Sequence, residues 1–442
     1  MAHIGLLCPT AIGHLNSLLP LGCELQRRGH RVTVFQVADA QATVAAAGLS
    51  FYQIGATTFP KGHIAEITKR LGELQGLAAI RYSVDWIKQT TQLLLAEAPD
   101  AIQAAGVEML IIDQIVVEGS TIAQRVGLPF ITFCSALPLH PEQTIPPFIT
   151  PWGYSTAPWA TVRNRMGYTL LDRLTQPVKK LIQDYRHRWQ LPLDAISDPS
   201  NSPLLQLSHQ PAAFEYPRTT LPPWFHFVGP LHSGYSRSPI DFPWERLNHQ
   251  PLIYASMGTL QNRQQWIFET IAQACANLPV QLVISLGNPD TASLPSLPGD
   301  PLVVPYAPQL DLLQKASLTI THAGLNTTLE SLTHGVPLVA IPVTNDQPGV
   351  AARIAWTGVG EALSLSQLTV SRLRAAIERV SSQPQYRANA LRLQQSIQRS
   401  GGVQLAANLV EQAIVTQQPV IQPWIRVSES SLYLQQTPCR PV

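Results

Sequence analysis

The sequence predicts an α/β protein built from two doubly wound, Rossmann-like domains. The chain has 442 residues, which is enough for two domains with separate cores, and short apolar segments alternate with amphipathic segments along both halves. A stretch rich in Pro, Ser and Gly separates the two series. Strands that alternate with helices are typical of parallel sheets covered by helices. We therefore expect one parallel sheet in each half.

In the first domain, residues 1–228, the predicted strands are short apolar runs and the predicted helices have apolar residues at helical spacing. The strands are His3–Cys8, Arg31–Val37, Leu49–Ile54, Val107–Ile112, Pro129–Cys134 and Trp224–Val228, and the first helices are Leu15–Arg28 and Ala40–Ala47. Residues 229–250 lack periodicity and form the predicted linker.

In the second domain, residues 251–416, the predicted strands are Leu252–Ser256, Val280–Leu286, Leu302–Pro305, Leu318–Thr321 and Pro337–Pro342. The tail, residues 417–442, contains Pro, Trp and Tyr without clear periodicity. Two arrangements of this tail stay open: it crosses back onto the first domain, or it is loosely ordered.

The composition is that of a folded protein with 45% hydrophobic and 13% charged residues. A net charge of +2 gives no electrostatic case for nucleic acid. The five scattered cysteines contain no Cys-x-x-Cys pair, which argues against a disulfide framework or a zinc site and favours a reducing compartment. No secretory leader is apparent and no apolar run reaches the ~18 residues that span a bilayer. We expect a cytoplasmic protein.

The segment 306–354 contains the parts needed to bind a nucleotide-sugar. A predicted strand runs into a glycine turn at Thr321–Gly324, and a predicted helix follows. Such a turn directs free N–H groups and the positive end of a helix dipole at one spot, which suits a diphosphate. The candidate ligands are His322, Gly324, Asn326, Thr327 and Glu330, followed after the next strand by Asp346 and Gln347, which could bond to sugar hydroxyls.

This segment resembles the donor-binding signature of the family 1 glycosyltransferases, enzymes of the two-domain GT-B fold that use nucleotide-sugars. It contains Tyr306-Ala-Pro-Gln309, His322-Ala-Gly324 and Asp346-Gln347 in one order and spacing. An ordinary βαβ unit explains the strand and helix rhythm but not this combination. The runs HAGLNTTLE and DQPGVAARI are closest to bacterial carotenoid glucosyltransferases of the zeaxanthin type.

The resemblance implies a role for each matching residue. Tyr306 would stack on the base, and Ala307 belongs to the same donor-binding set. Gln309 would contact the base or the ribose, His322 the β-phosphate, Asn326 and Thr327 the phosphates, Glu330 the ribose, and Asp346 with Gln347 the sugar. Tyr306 replaces a tryptophan of the plant enzymes, and Leu325 stands where they place a second one. Gln347 fits a glucose donor, but Leu325 leaves the choice of sugar open. The choice between UDP and TDP also stays open.

Transfer of a sugar to a hydroxyl group needs a base, for which His14 is the candidate. It follows the first predicted strand in a glycine-containing turn, which is the ligand-binding edge of a doubly wound sheet. Position alone also fits a helix cap or a phosphate contact, whereas family 1 enzymes place their catalytic histidine in this loop. Asp113 ends the strand VEMLII and is the candidate partner that orients the imidazole, with helix capping as the alternative. Direct attack by the hydroxyl would invert the anomeric configuration.

The leaving diphosphate must also be stabilised. The chain has no Asp-x-Asp element, so we expect a reaction without a metal ion or other cofactor. Backbone N–H groups, His322 and the turn containing Gly258 and Thr259 are the predicted replacements.

Two segments of the first domain bear on the acceptor. The insertion Leu137–Trp159 is rich in proline, and its aromatic residues either form a wall for a large apolar acceptor or only anchor a long loop. The predicted acceptor residues are Phe148, Trp152, Tyr154 and Trp159. The next segment, Arg163–Trp189, is a basic amphipathic helix that fits either a solvated face or contact with an anionic membrane.

These observations predict an inverting transferase that moves a hexose, with glucose preferred, from a UDP-sugar to a hydroxyl of a lipophilic small molecule such as a carotenoid. Polyphenols, sterols and polyketides are alternative acceptors. A non-catalytic protein that binds nucleotide-sugars is an alternative of a different class. An epimerase would need further carboxylates beside the sugar, where the sequence offers only Asp346. The natural acceptor and the oligomeric state stay open.

Overall fold

Two parallel sheets form the centre of the structure, a computed structural model that describes residues 1–74, 76–192, 201–232, 240–259, 264–287 and 296–421. The first half contains a seven-stranded sheet and the second half a six-stranded sheet. Helices cover both faces of each sheet, as the alternation of strands and helices predicts.

The first sheet has the strand order β3-β2-β1-β4-β5-β6-β7. The strands are β1 (His3–Leu7), β2 (Arg31–Gln36), β3 (Ser50–Gln53), β4 (Met109–Asp113), β5 (Phe130–Cys134), β6 (Gln206–Ser208) and β7 (Phe225–Phe227). The helices of this half are α1 (Ile12–Arg27), α2 (Gln41–Ala46), α3 (His63–Glu73), α4 (Gly76–Ala105), α5 (Gly119–Val126) and α6 (Pro158–Arg188).

The second sheet has the order β10-β9-β8-β11-β12-β13. Its strands are β8 (Leu252–Ser256), β9 (Gln281–Ser285), β10 (Leu302–Val304), β11 (Ala316–Thr321), β12 (Leu338–Ala340) and β13 (Gly360–Ala362). The helices are α7 (Gln265–Cys275), α8 (Gln309–Leu313), α9 (Leu325–Thr333), α10 (Gln347–Trp356), α11 (Val370–Ser382), α12 (Pro384–Arg399) and α13 (Gly402–Thr416).

In each sheet the strand order reverses at a central strand, with earlier strands added on one side and later strands on the other. In the first sheet β1 pairs with both β2 and β4, and in the second sheet β8 pairs with both β9 and β11. Helices that leave such a pair of strands run to opposite faces, which opens a crevice at the carboxyl ends of the strands. The structure therefore has two such crevices, one at β1 and β4 and one at β8 and β11.

Two strands, β6 and β13, lie outside the set predicted from the sequence. Each has three residues, which is too short for a period to be recognised, and the sequence of β13, Gly-Glu-Ala, is not apolar. Their positions are fixed by pairing with the neighbouring strands β5 and β12.

The chain crosses back to the first domain after α12. The N–H of Gly402 donates to the carbonyl of Val228 at 2.8 Å, and buried residues of α13 join the same apolar cluster as α1. Beyond α13, the N–H of Val420 donates to the carbonyl of Leu204 at 2.8 Å. The crossing thus begins before the predicted tail at residues 417–442, of which 422–442 lie outside the described residues. Residues 233–239 of the predicted linker also lie outside them.

A buried ion pair joins the two domains. The guanidinium of Arg353 on α10 is bonded to the carboxylate of Glu215, with 3.0 Å between Nε and Oε1, and both side chains are about 1% exposed. The Arg353 guanidinium lies 4.3 Å from the ring centre of Tyr216. Burial acts to raise the pKa of Glu215, but Arg353 and Arg218 outweigh it and hold that pKa below its usual value.

Among the described residues, no helix is both long enough and apolar enough to cross a membrane.

Removing one partner of the interdomain ion pair should destabilise the protein strongly. Arg353→Met leaves the Glu215 carboxylate buried without its main cation, which typically costs about 3–5 kcal/mol. Urea unfolding followed by fluorescence measures the effect. Arg379→Met is the matched control, because Arg379 pairs with Glu361 at an exposed position, where a pair contributes about 0–1 kcal/mol. Equal losses in the two variants would contradict a special role for the buried pair.

Candidate active site

His14 and Asp113 meet at the switch point of the first sheet. His14 lies in the first turn of α1, which follows β1, and Asp113 is the last residue of β4. The Nδ1 atom of His14 lies 2.9 Å from Oδ2 of Asp113, which is fully buried. The other carboxylate oxygen accepts the N–H of Ile115 at 2.9 Å, so the carboxylate is held from both sides. This contact leaves the Nε2 atom of His14 as the nitrogen available to a substrate.

Ser135 is a third member of this group that the sequence analysis did not identify. It follows β5, the strand next to β4, and its Oγ lies 2.7 Å from Nδ1 of His14. The same hydroxyl donates to Oδ2 of Asp113 at 2.5 Å. With Nδ1 protonated, the imidazole donates towards both oxygens, which fixes its tautomer and its orientation. Ser135 could have been identified from the sequence by its position at the carboxyl end of a central strand.

The pKa of His14 is raised above its usual value. Burial acts to lower it, but the charge and the hydrogen bond of Asp113 outweigh burial. Asp346 of the second domain adds a further favourable charge. Burial in turn raises the pKa of Asp346, against the effects of His14 and Arg353. The two predicted site residues from different domains are therefore close enough to interact electrostatically.

His322 lies at the corresponding switch point of the second sheet. It follows β11, and its imidazole is enclosed by two glycines: a Cβ at Gly258 or at Gly324 would lie 2.6 or 2.4 Å from a ring atom. Gly258 also has a φ of +73°, which side chains disfavour. Burial lowers the pKa of His322 to about 4, although a hydrogen bond to the backbone of Ser256 acts to raise it. The imidazole is therefore neutral at pH 7.

The N-terminus of α9 completes this turn. Gly324 is the N-cap, and the first hydrogen bond of the helix runs from the N–H of Thr328 to its carbonyl at 3.0 Å. The preceding N–H groups of the first turn have no acceptor within the helix. The side chain of Asn326 donates to the carbonyl of Gly13 in the first domain at 2.7 Å. The predicted phosphate turn thus lies directly opposite the first turn of α1, which contains His14.

The predicted base and ribose contacts form one connected group. The Nε2 atom of Gln309 donates to Oε2 of Glu330 at 2.5 Å, and Oγ1 of Thr327 lies 3.3 Å from the same nitrogen. The hydroxyl of Tyr254 donates to Oε1 of Gln309 at 3.1 Å, a contact not predicted from the sequence. Half-buried Tyr306 and buried Ala307 precede α8 on the same side, in the loop after β10.

The remaining donor residues lie on two loops. Thr259 is half-buried and follows Gly258 at the end of a described segment. Asp346 and Gln347 come after the loop that follows β12, where Asp346 is the N-cap of α10 and Gln347 its first residue. The Oε1 atom of Gln347 accepts the N–H groups of Val343 and Thr344 at 2.8 and 3.1 Å. Its amide oxygen therefore holds this loop together.

Two of the four predicted acceptor residues contact the second domain. Phe148 packs in an apolar cluster that belongs mainly to the second domain, and its carbonyl lies 2.0 Å from the position that a Cβ on Gly349 would take. Tyr154 contacts the rings of Tyr216 and Trp356, with centroids 5.6 and 5.2 Å apart.

The other two predicted acceptor residues contact the start of α6. Trp152 lies over Gly167 of α6, and the Arg163 guanidinium lies 4.9 Å from its ring centre. Trp159 is 61% exposed. Phe148 and Tyr154 thus anchor the insertion Leu137–Trp159 to the second domain, and an acceptor role of the four residues stays a prediction.

A small crevice between the domains adds one further residue that the sequence analysis did not single out. His209 follows β6 and lines this crevice together with Asn16, Asn326 and Glu330. Burial lowers its pKa to about 4, and it is hydrogen-bonded to the backbone of Ser135. Its Nε2 atom is buried and has no hydrogen-bond partner among the described residues. The described residues contain no group of three or more His, Cys, Asp or Glu side chains that could hold a metal ion.

Comparison with known proteins agrees with this geometry. The sequence model of the family described as UDP-glucoronosyl and UDP-glucosyl transferase matches residues 5–401. The chain is 31% identical to a zeaxanthin glucosyltransferase of Pantoea ananas over 427 residues, which cover 95% of this chain and 98% of that protein. It is also 31% identical to a zeaxanthin glucosyltransferase of Pseudescherichia vulneris, covering 95% and 100%.

Solved structures agree on the fold. The structure of CalG4, the calicheamicin glycosyltransferase, has a TM-score of 0.72 and 22% identity, and the similarity covers 95% of this chain and 100% of that one. The glycosyltransferase of kitacinnamycin also has a TM-score of 0.72, with 23% identity and coverage of 95% and 99%. The predicted GT-B fold of two Rossmann-like domains is confirmed.

The contact between His14 and Asp113 predicts how the imidazole titrates. In Asp113→Asn the opposing carboxylate charge is lost while the burial stays, so the pKa of His14 should fall below its wild-type value. Histidine ring signals followed by NMR across pH measure this, with His14→Gln used for assignment. Asp172→Asn, at an exposed site on α6, is the control and should leave that pKa unchanged. An unchanged pKa in Asp113→Asn would contradict the proposed electrostatic origin.

Proposed function

Because this chain belongs to the UDP-glucoronosyl and UDP-glucosyl transferase family, we propose that it transfers glucose from UDP-glucose to a hydroxyl group of a lipophilic small molecule. The observation that supports this most is the placement of His14 and Asp113 directly across the domain boundary from the turn containing His322. A base for the acceptor and a site for the diphosphate then lie on opposite walls of one cleft. The relatives named as zeaxanthin glucosyltransferases make a carotenoid the leading acceptor.

The proposed reaction begins with His14. Its Nδ1–H group faces Asp113 and Ser135, so the lone pair of Nε2 accepts the proton of the acceptor hydroxyl. The acceptor oxygen forms a bond to the anomeric carbon while the bond between that carbon and the diphosphate oxygen breaks. UDP leaves with the bonding electrons, and the configuration is inverted. The imidazolium that forms is stabilised by the buried carboxylate of Asp113.

The departing diphosphate gains negative charge, which the N-terminus of α9 is suited to stabilise. The free N–H groups of the first helical turn and the helix dipole act on the same spot. Gly258 and Gly324 allow the backbone to approach the diphosphate closely. The imidazole of His322 is neutral, so it adds no charge of its own to this site. We propose that the residues of this turn, with Thr259, bind the diphosphate without a metal ion.

The donor would lie along the second domain. In this proposal Tyr306 stacks on the uracil, and Ala307 lines the same site. Gln309 and Glu330 are bonded to each other in the structure, so a ribose diol bound by Glu330 would replace the contact from Gln309. Asp346 and Gln347 would bond to hydroxyls of the glucose. Thymidine diphosphate sugars are the competing donors.

The acceptor would bind to the first domain, close to Nε2 of His14. A long apolar molecule needs an apolar surface next to that atom, and we propose the insertion Leu137–Trp159 for part of it. The aromatic residues of the insertion would then line the outer part of this apolar surface, because two of them already contact the second domain. These residues are Phe148, Trp152, Tyr154 and Trp159. Polyphenols, sterols and polyketides are the other acceptor classes to test.

An acceptor panel tests the proposed reaction directly. The purified protein is incubated with UDP-glucose or TDP-glucose and with a xanthophyll, a sterol, a polyketide or a phenolic acceptor. We expect a β-glucoside of the xanthophyll from the α-linked UDP donor, identified by mass spectrometry and by the anomeric coupling constant in NMR. A product with retained configuration would contradict the direct displacement.

Replacing the base should remove transfer but not donor binding. His14→Ala is expected to lower the turnover rate by about 10²–10⁴, which is typical for loss of a positioned base. UDP affinity measured by calorimetry should stay nearly unchanged, because the base acts on the acceptor. His63→Ala is a matched control: His63 is 30% exposed, compared with 23% for His14, and lies 3.9 Å from the Glu66 carboxylate. A loss of UDP affinity as large as the loss of rate would refute the assignment.

Replacing donor residues should have the opposite effect. His322→Ala and Glu330→Ala are each expected to weaken UDP-glucose binding about tenfold to hundredfold, because each removes hydrogen bonds that involve a charged group. Glu269→Ala is the control, since Glu269 of α7 also accepts a glutamine side chain but does so in an exposed contact. Transfer should persist in EDTA. Complete loss in EDTA with recovery on adding Mg²⁺ or Mn²⁺ would contradict a diphosphate site made by the helix alone.

A further inference from the structure

An apolar stripe lies on the exposed face of α6. Four large apolar side chains of its first half are more than half exposed: Trp159 at 61%, Val162 at 60%, Met166 at 68% and Leu170 at 58%. Their spacings of three, four and four residues place them within an arc of about 80° on an α-helix with 100° per residue. They therefore form one continuous surface, which we call the α6 stripe.

The α6 stripe is not needed for the fold. The opposite face of α6 supplies the packing, with Val178 and Ile182 buried in the cluster that includes α4 and α5. Asn164 is fully buried and donates to the carbonyl of Gln143 at 3.0 Å. The helix therefore has one apolar face that is covered and a second that is not.

This arrangement is not repeated elsewhere in the parts of the chain that the structure describes. The other exposed large apolar residues there are spread over separate elements: Met1, Tyr52, Trp244, Trp266, Leu391, Val415 and Ile421. Single exposed apolar residues are normal on a protein surface, whereas a contiguous apolar patch marks an interaction site.

The charges around the stripe are basic. Residues 158–171 contain no Asp or Glu, and the exposed side chain of Arg165 lies beside the stripe. Arg173 and Lys180 continue along the same face, towards the C-terminus of the helix, and both are exposed. Asp172, the first acidic residue of α6, is bonded to Lys179 and to Gln176. Asp184, also exposed, follows Lys180 by one turn, so the cations outnumber the acidic residues on this face without being the only charges there. An apolar face followed by exposed cations complements a surface that is apolar inside and anionic at its edge.

We propose that the first half of α6 docks the protein on the surface of an anionic lipid bilayer. The α6 stripe inserts at the boundary between headgroups and acyl chains, with Trp159 at the interface that tryptophan prefers. Arg165, Arg173 and Lys180 contact the lipid phosphates. The helix lies in the plane of the membrane and does not cross it.

This position also connects the membrane to the proposed acceptor side. The helix follows directly on the insertion Leu137–Trp159, and Gly167, one residue after Met166 of the stripe, packs under Trp152 of that insertion. A lipophilic acceptor dissolved in the bilayer would then enter the protein beside the stripe. Only this step depends on the proposed function, because binding to vesicles requires neither donor nor acceptor.

Vesicle flotation with the full chain tests the docking. The vesicles are made of phosphatidylcholine alone or of phosphatidylcholine mixed with phosphatidylglycerol. We expect the wild-type protein to float with the anionic vesicles, less with neutral ones, and less again as salt is raised. Failure of the wild-type protein to bind the anionic vesicles would overturn the proposal.

Matched variants localise the binding surface. Val162→Ser/Leu170→Ser should lower the partition coefficient about tenfold or more, because it removes half of the stripe. Val415→Ser/Ile421→Ser removes a similar pair of exposed side chains elsewhere and should bind as the wild type does. For the charges, Arg165→Gln/Arg173→Gln should weaken binding to anionic vesicles about tenfold or more, whereas Arg387→Gln/Arg399→Gln on exposed positions of α12 should not.

Two further measurements separate the proposal from its competitors. Transfer to an acceptor held in detergent should be unchanged in Val162→Ser/Leu170→Ser, which shows that the fold and the site are intact, while transfer to the same acceptor in vesicles should fall. If sedimentation instead showed a wild-type dimer that this variant dissociates, a second copy of the chain would cover the stripe. That result, or equal vesicle binding by the stripe variant and its control, would refute membrane docking.

Discussion

The order of the strands in the two sheets is the constraint on which the site depends. In each half the chain begins with a central strand, adds strands on one side and then returns to add strands on the other. This leaves an open crevice between the carboxyl ends of two central strands. His14 and Asp113 lie at the crevice of the first sheet, and Gly258 and His322 at that of the second. The proposed site is thus assembled from residues at or next to strand ends.

Two crevices make one site only if the sheets face each other at a fixed separation. The buried pair of Glu215 and Arg353 provides that constraint at a distance from the reacting groups. A buried ion pair adds little net stability compared with apolar packing, but separating its partners leaves an uncompensated charge. Around it, Tyr154 and Tyr216 from the first domain pack on Trp356 of the second. The aromatic insertion therefore helps to determine the width of the cleft, whatever it also contributes to the acceptor.

How well each part of the site can be predicted from the sequence depends on how far apart its residues lie in the chain. A donor side could be proposed from the sequence because most of its candidate residues fall within one segment, 306–354, at spacings set by a strand, a turn and a helix. The pair of His14 and Asp113 could be proposed because both follow strongly apolar strands. Ser135 also follows an apolar strand, so the same reasoning could have predicted it.

Other features could not be predicted from local patterns. The partners of the ion pair are separated by 138 residues, and no period connects them. In the insertion Leu137–Trp159 the composition indicated either a wall for the acceptor or anchors for a long loop, but an irregular segment has no period from which to infer which side its aromatic residues face. The same limit applies to β6 and β13, whose three residues are positioned by their neighbours.

The pKa of His14 depends on charged groups in both domains. Asp113 on its own sheet and Asp346 on the other domain both act to raise its pKa, against the effect of burial. The contribution of Asp346 depends on the distance across the cleft, because a Coulomb energy falls as charges separate and as water enters between them. Widening the cleft would therefore lower the pKa of the imidazole, and narrowing it would raise the proton affinity of Nε2. The closed arrangement makes the histidine a stronger base when both walls of the site are in place.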